Sequence, residues 1–122
     1  APDDEAMAPI TAMQAVLGKL AGLGRSGPDA GAGSTLAAVE LGETSAAQAI
    51  ALAHTLGLDE DVLNADGGAI VRGHPLGAAV AVLVARLFTR LVRCSDGAGG
   101  ALGAVTLGTI GGFGVAAVVE RV

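Results

Sequence analysis

Apolar residues recur at three- and four-residue steps over Ile10, Met13, Leu17 and Leu20, which predicts one face of a helix. Pro9 suits its first turn, Gly22 and Gly24 close it, and residues 1–8, APDDEAMA, read as an acidic lead-in. Residues 24–35, GRSGPDAGAGST, form a Gly/Ser/Pro-rich loop. The short apolar run LAAVEL at 36–41 is sized for a buried strand. Thr44 or Ser45 can cap a second helix reaching Thr55, with Ala46, Ala49, Ile50 and Ala53 on one face. LGLDED then loops into a turn at Asn64-Ala65-Asp66-Gly67-Gly68, and Ala69-Ile70-Val71 reads as briefly extended. Gly73-His74-Pro75 opens the clearest helix, whose apolar stripe is Leu76, Val80, Leu83, Val84, Leu87, Phe88 and Leu91. Residues 94–100 loop to two strands, 101–107 and 114–122, joined as a hairpin by the glycine-rich 108–113. Helices alternating with strands and a closing strand pair make an α/β pattern.

Composition narrows this picture. Among 122 residues there are 20 glycines, two phenylalanines and no Trp or Tyr. The mean hydropathy of +0.62 is too high for a disordered chain. The longest uncharged stretch, 97–119, is long enough for a membrane span but is broken by glycines, so no membrane partner is expected. No basic segment precedes an apolar one at the start, so no signal peptide is read there. A net charge of −5 argues against nucleic acid. One Cys excludes an internal disulfide, two His give no zinc-ligand spacing, and a reducing cytoplasm is the expected compartment. Alanine and glycine bury little area each, at roughly 25 cal/mol per Å2, so the chain is expected to lean on another surface.

The most chemical-looking segment is Gly73-His74-Pro75. If Pro75 opens a helix, His74 sits beside free backbone N–H groups whose positive potential disfavours imidazolium. A neutral imidazole there can take a proton from a thiol or hydroxyl, or donate to an oxyanion; a helix-capping His without a role fits the same pattern. The loop 108–114 can bring amides to a ligand or simply make a tight hairpin. Gly112-Phe113-Gly114-Val115-Ala116-Ala117 fits GxGxxA but leads into a strand, so no dinucleotide site is read there. The turn at 64–68, His54 on a helix surface, Cys94 in a polar loop and the row Arg86, Arg90, Arg93 as a solvated face all have ordinary structural readings. An exposed arginine row could also meet a phosphate.

Three stretches together resemble the C-terminal part of thiolases, the acyl-CoA C-acyltransferases. Residues 40–48, ELGETSAAQ, are similar to the family's E-I-N-E-A-F-A-A-Q. Residues 64–77, NADGGAIVRGHPLG, are very close to N-x-N-G-G-A-I-A-x-G-H-P-x-G. Residues 107–115, LGTIGGFGV, look like C-x-G-G-G-x-G-V, and Ala6-Met7-Ala8-Pro9 is a loose version of M-G-x-G-P. The resemblance covers nearly all of this chain and the last third of a family member. It maps the His that activates the nucleophile onto His74. The Asn that holds an oxyanion-binding water falls on Gly42, and the second Cys, the acid/base for the enolising acetyl group, falls on Gly108. Two of three motif positions have thus lost their side chains, and Gly73, Gly111 and Gly112 are left as a candidate oxyanion or substrate loop. The family's nucleophilic Cys belongs to its N-terminal half, to which no part of this chain corresponds.

The resemblance therefore implies a thiolase-like α/β fold over 1–122. It also implies a C-terminal half with a mixed sheet that lacks its first, central strand. The strands present would flank a gap completed by a partner chain. The implied function is a subunit of an acyltransferase acting on acyl-CoA or another acyl thioester, with the Cys supplied by a thiolase N-terminal-half subunit, as dimers of heterodimers. Coenzyme A thioester enters as substrate, with no bound cofactor and no metal. A non-catalytic thiolase half that docks a catalytic partner is the competing reading, and a stand-alone binding domain the third.

Overall fold

The computed structural model describes residues 2–25, 35–93 and 99–122. The expected loop at 24–35 falls mainly on 26–34, and Cys94 falls in 94–98; both lie outside the described residues. The elements run α1 Pro2–Gly22, β1 Leu36–Gly42, α2 Ala46–Leu56, α3 Ala69–Arg72 and α4 Ala79–Phe88. A π-helical turn, Thr89–Arg93, continues α4, and β2 Leu102–Thr109 and β3 Phe113–Glu120 follow. This is the expected α/β class with a mixed sheet. β1 and β2 run parallel, and β2 and β3 form the antiparallel hairpin, from Leu102 opposite Glu120 to Thr109 opposite Phe113.

The gap expected in the middle of the sheet is closed. β1 pairs directly with β2, so the order β1-β2-β3 is continuous. A parallel pair needs a long crossover, and α2, α3 and α4 supply it. On β1's other side Leu63 makes a single parallel bridge to Val39. Any further strand must join at an edge, and the outer edge of β3 is the longer one without a partner strand among the described residues.

Alternation along the strands sorts two cores. Leu36, Val39, Leu41, Leu102 and Ala104 pack with Ile10, Met13 and Leu17 of α1 and Leu52 and Leu56 of α2. Ala38 and Val105 face Leu83, Leu87 and Leu91 on the opposite side. The sheet thus lies between α1 and α2 on one face and α4 on the other.

Five local expectations are corrected. The lead-in at 1–8 is helical from Pro2, with Pro9 inside α1. A proline there removes one helical hydrogen bond, but outside donors hold the same turn: Gln48 Nε2 donates to Ala6 O at 3.2 Å and Thr106 Oγ1 to Pro9 O at 3.0 Å. The α2 face is turned. Ser45 caps α2 by accepting from Gln48 N, but Gln48, Leu52 and Leu56 are buried while Ile50 is 69 % exposed. Residues 69–71 are helical, not extended, because Gly68 caps a short turn at Ala69. α4 starts at Ala79, downstream of Pro75, and Leu76, Val80, Val84 and Phe88 of the expected stripe are exposed. The arginine row also divides: Arg86 is not solvated but pairs with Glu40 at 2.7 Å, under α4.

β3 meets α1 at Gly114, where an added Cβ would fall on the Ala8 carbonyl. Neither backbone can yield without lifting α1 off the sheet. Gly114→Ala is expected to destabilise the protein by about 1–3 kcal/mol or more, measured by urea unfolding. Gly18→Ala on α1, where the added Cβ meets nothing within 4 Å, should not.

Candidate functional site at the carboxyl ends of the parallel strands

In open α/β sheets the carboxyl ends of the strands are where ligands gather. β1 ends at Gly42, whose register partner is Leu107, one residue before Gly108. Gly42 and Gly108 are therefore at adjacent strand ends, and both are packed in. A Cβ on Gly42 would stand 2.9 Å from Leu107 Cβ and 3.5 Å from Leu83 Cδ1. A Cβ on Gly108 would stand 3.0 Å from Pro9 Cδ and 3.1 Å from the Glu5 carbonyl oxygen. The proline turn of α1 thus covers the end of β2.

Glu43 follows Gly42 and joins the strand end to the next segment. Its carboxylate accepts from Asn64 Nδ2 at 2.6 Å and from the Ile70 N–H at 2.9 Å. Asn64 is buried with φ +45°, and its side chain pairs with both backbone groups of Leu41: Oδ1 accepts from Leu41 N at 2.8 Å and Nδ2 donates to Leu41 O at 3.1 Å. Neither residue was singled out from the sequence. Asn64 read as a turn residue and Glu43 as one letter of a motif. The available signal was an Asn before Asp-Gly-Gly, a type that tolerates the left-handed region.

His74 lies on the exposed segment between α3 and α4. Because α4 opens at Ala79, the helix N-terminus invoked for the imidazole is not beside it. Gly73 closes α3 with φ +88°, its N–H donating to Ala69 O at 2.8 Å. In the hairpin, Gly111 and Gly112 have φ +94° and +80°, which favour glycine. Gly111 N–H is held by Glu5 Oε1 at 3.0 Å and Gly112 N–H by Thr109 O at 3.2 Å. The N–H groups of all three candidate-loop glycines are thus engaged within the chain. Gly42 and Gly108 stand at adjacent strand ends but face opposite sides of the sheet, Gly42 toward Leu83 of α4 and Gly108 toward Pro9 of α1, and Glu43 ties the segment before His74 to the end of β1. His54 is exposed on α2, as expected. Among the described residues no three His, Cys, Asp or Glu side chains cluster to hold a metal, and no helix is long and apolar enough to cross a membrane.

Residues 1–121 match the family described as thiolase, C-terminal domain. The chain belongs to the thiolase family. It is 37 % identical over 115 residues to the acetyl-CoA acetyltransferase of Escherichia coli strain K12, spanning 94 % of this chain and 26 % of that protein. It is 41 % identical over 81 residues to the 3-ketoacyl-CoA thiolase of Bacillus subtilis strain 168, spanning 66 % of this chain and 20 % of the other. Among solved structures, the Acat5 thiolase of Ascaris suum in complex with coenzyme A superposes with TM-score 0.80 at 26 % identity, over 99 % of this chain and 28 % of that one. The peroxisomal 3-ketoacyl-CoA thiolase of Saccharomyces cerevisiae superposes with TM-score 0.77 at 30 % identity, over 97 % of this chain and 30 % of that one. It is described as a five-layered structure built from two core domains of identical topology. The α/β unit is therefore a thiolase C-terminal domain, and it spans about a quarter of the E. coli relative's length.

Proposed function

We propose that this chain forms part of a thiolase-like acyltransferase acting on acyl-CoA or another acyl thioester. His74 acts as activating base or oxyanion donor. The nucleophilic Cys comes from outside this sequence, on a partner carrying the thiolase N-terminal half. The observation that carries the reading is the Gly73-His74-Pro75 segment, exposed and tethered to the carboxyl end of β1 in a chain that matches thiolases over residues 1–121. In the step proposed, His74 takes the proton of the partner's thiol as the sulfur attacks the thioester carbonyl. The proton then goes to the departing CoA thiolate, leaving an acyl-cysteine.

The need for a partner rests on uncovered apolar surface. Val80, Val84 and Phe88 repeat every four residues on the outer side of α4 and are exposed. Beside α4, the register places Val115 and Val119 of β3 on the same sheet face as Leu107 and Gly103, and both are exposed, as is Phe113. A partner layer there, with a strand on β3's outer edge, would bury them, and the resulting hetero-oligomer resembles the two-core plan of the yeast relative.

The glycines set the limit of the chemistry. Removing a proton alpha to a thioester needs a placed base, and Gly108 offers none. Restoring a side chain at Gly108 or Gly42 would displace Pro9 or Leu107. The assembled protein is expected to load an acyl group from acyl-CoA yet to condense two acetyl-CoA molecules poorly, by about 10²–10³-fold from the lost oxyanion water alone. Acetoacetyl-CoA formation and acyl exchange, measured on one preparation, check this; robust condensation would contradict it. A second reading, a thiolase half that docks a catalytic partner, is favoured by the same two closed positions, and absence of acyl exchange would select it.

A further inference from the structure

We propose that Glu43 is the positioning residue for His74, acting through α3; the catalytic part of this claim rests on the thiolase-like reading above. α3 has four residues, Ala69–Arg72, none of them buried. A single turn of helix does not hold itself in water, and without packing its orientation must come from hydrogen bonds. At its start the Glu43 carboxylate accepts the Ile70 N–H, one of the orphan donors of a helix N-terminus. The other carboxylate oxygen grips Asn64, which is locked onto Leu41 of β1. At its end, Arg72 Nε donates to Gly67 O at 3.2 Å and its guanidinium to Asp66 O at 2.5 Å, folding the turn back on the 64–68 loop. Gly73 then closes α3 and delivers the chain to His74. The Glu43 carboxylate thus bonds both Asn64, fixed on the sheet, and the first turn of α3, the turn that leads to His74.

Gly68 shows that the carboxylate's place is built for it. A Cβ on Gly68 would fall on the Glu43 carboxyl group. Because that group is the free end of a side chain, Gly68→Ala should swing Glu43 away without unfolding the sheet. The carboxylate is thus displaceable from either side of the contact. Glu43→Gln keeps an acceptor for Ile70 but turns a second N–H donor toward Asn64 Nδ2, so it should fall between wild type and Glu43→Ala.

The test is made on the assembled protein, with this chain carrying 13C-labelled histidine. The chain has two histidines, so His54 serves as an internal reference for His74. Glu43→Ala and Gly68→Ala should both shift and broaden the His74 imidazole signal, leave that of His54 in place, and speed amide exchange at Ile70. Acyl transfer should fall on the order of 10²-fold in kcat, the scale of a catalytic group misplaced by about 1 Å, with KM little changed. An unmoved His74 signal and unchanged Ile70 exchange in Gly68→Ala would overturn the proposal. Should the unsubstituted assembly lack acyl transfer, the functional reading fails while the imidazole signal and amide exchange still decide whether Glu43 positions His74.

Discussion

Replacing His74 with alanine is expected to cut acyl transfer by the assembled protein about 10²-fold or more, the usual scale for a positioned general base. The thiol of the attacking cysteine must lose its proton as the acyl group arrives, and the departing CoA thiolate must gain one. Without the imidazole both transfers fall to water. Assembly should survive, because His74 is exposed and contributes no core packing. Steady-state acyl exchange, with gel filtration of the same sample, separates the two effects. Unchanged exchange in an intact assembly would remove His74 from the chemistry and favour the docking role.

Replacing Arg86 with leucine is expected to be the most damaging single change to stability. Glu40 sits in β1 with only 2 % exposure, and Arg86 Nε, reaching down from α4, is 2.7 Å from its carboxylate. Removing the cation leaves a buried charge without its partner, a loss of about 3–5 kcal/mol by the general behaviour of such pairs. Removing both charges, in Glu40→Leu with Arg86→Leu, should recover most of that loss, since two well-packed apolar groups replace a pair whose desolvation is itself unfavourable. Among the described residues Arg86 Nη2, also buried, has no hydrogen-bond partner, so the guanidinium is not fully paired by them. Chemical unfolding of the two variants gives the comparison. A loss below about 1 kcal/mol in the single variant would place the pair in the class of solvated surface bridges.

The strands were legible because their apolar runs are short and bounded by glycine or polar turns. Residues 36–41 and 101–107 lie within a residue or two of β1 and β2, and the 108–113 link does turn the hairpin. Ser45 was readable as a cap because its side-chain oxygen has a local job to do. Helix faces were harder. In α2 eight of the eleven residues are Ala, Leu or Ile, so hydrophobic pattern alone scarcely distinguishes one face from another. The buried face is set instead by Gln48, whose amide bonds Thr44 N and Ala6 O. The stripe on α4 is twice as wide as the sheet needs, and half of it stays exposed. Arg86 read as solvated because its partner, Glu40, lies 46 residues upstream inside what looked like an apolar strand. At the candidate site, the motifs point to His74, Gly42 and Gly108. They did not show that Pro9 and Leu107 close the two glycines, or that Glu43 and Asn64 join the strand end to the His74 segment, because those contacts are made between distant parts of the chain.

The central claim is that this thiolase C-terminal domain completes an acyl-transferring site whose nucleophile lies elsewhere. Incubating the native assembly with an acyl-CoA, then mapping acylated peptides by mass spectrometry, tests it most directly. The account predicts an acyl-cysteine on a cysteine outside these 122 residues, lost when His74 is replaced by alanine. An acyl group on Cys94, the one cysteine of this chain, or no acyl-cysteine at all in a preparation that contains the N-terminal half, would contradict it.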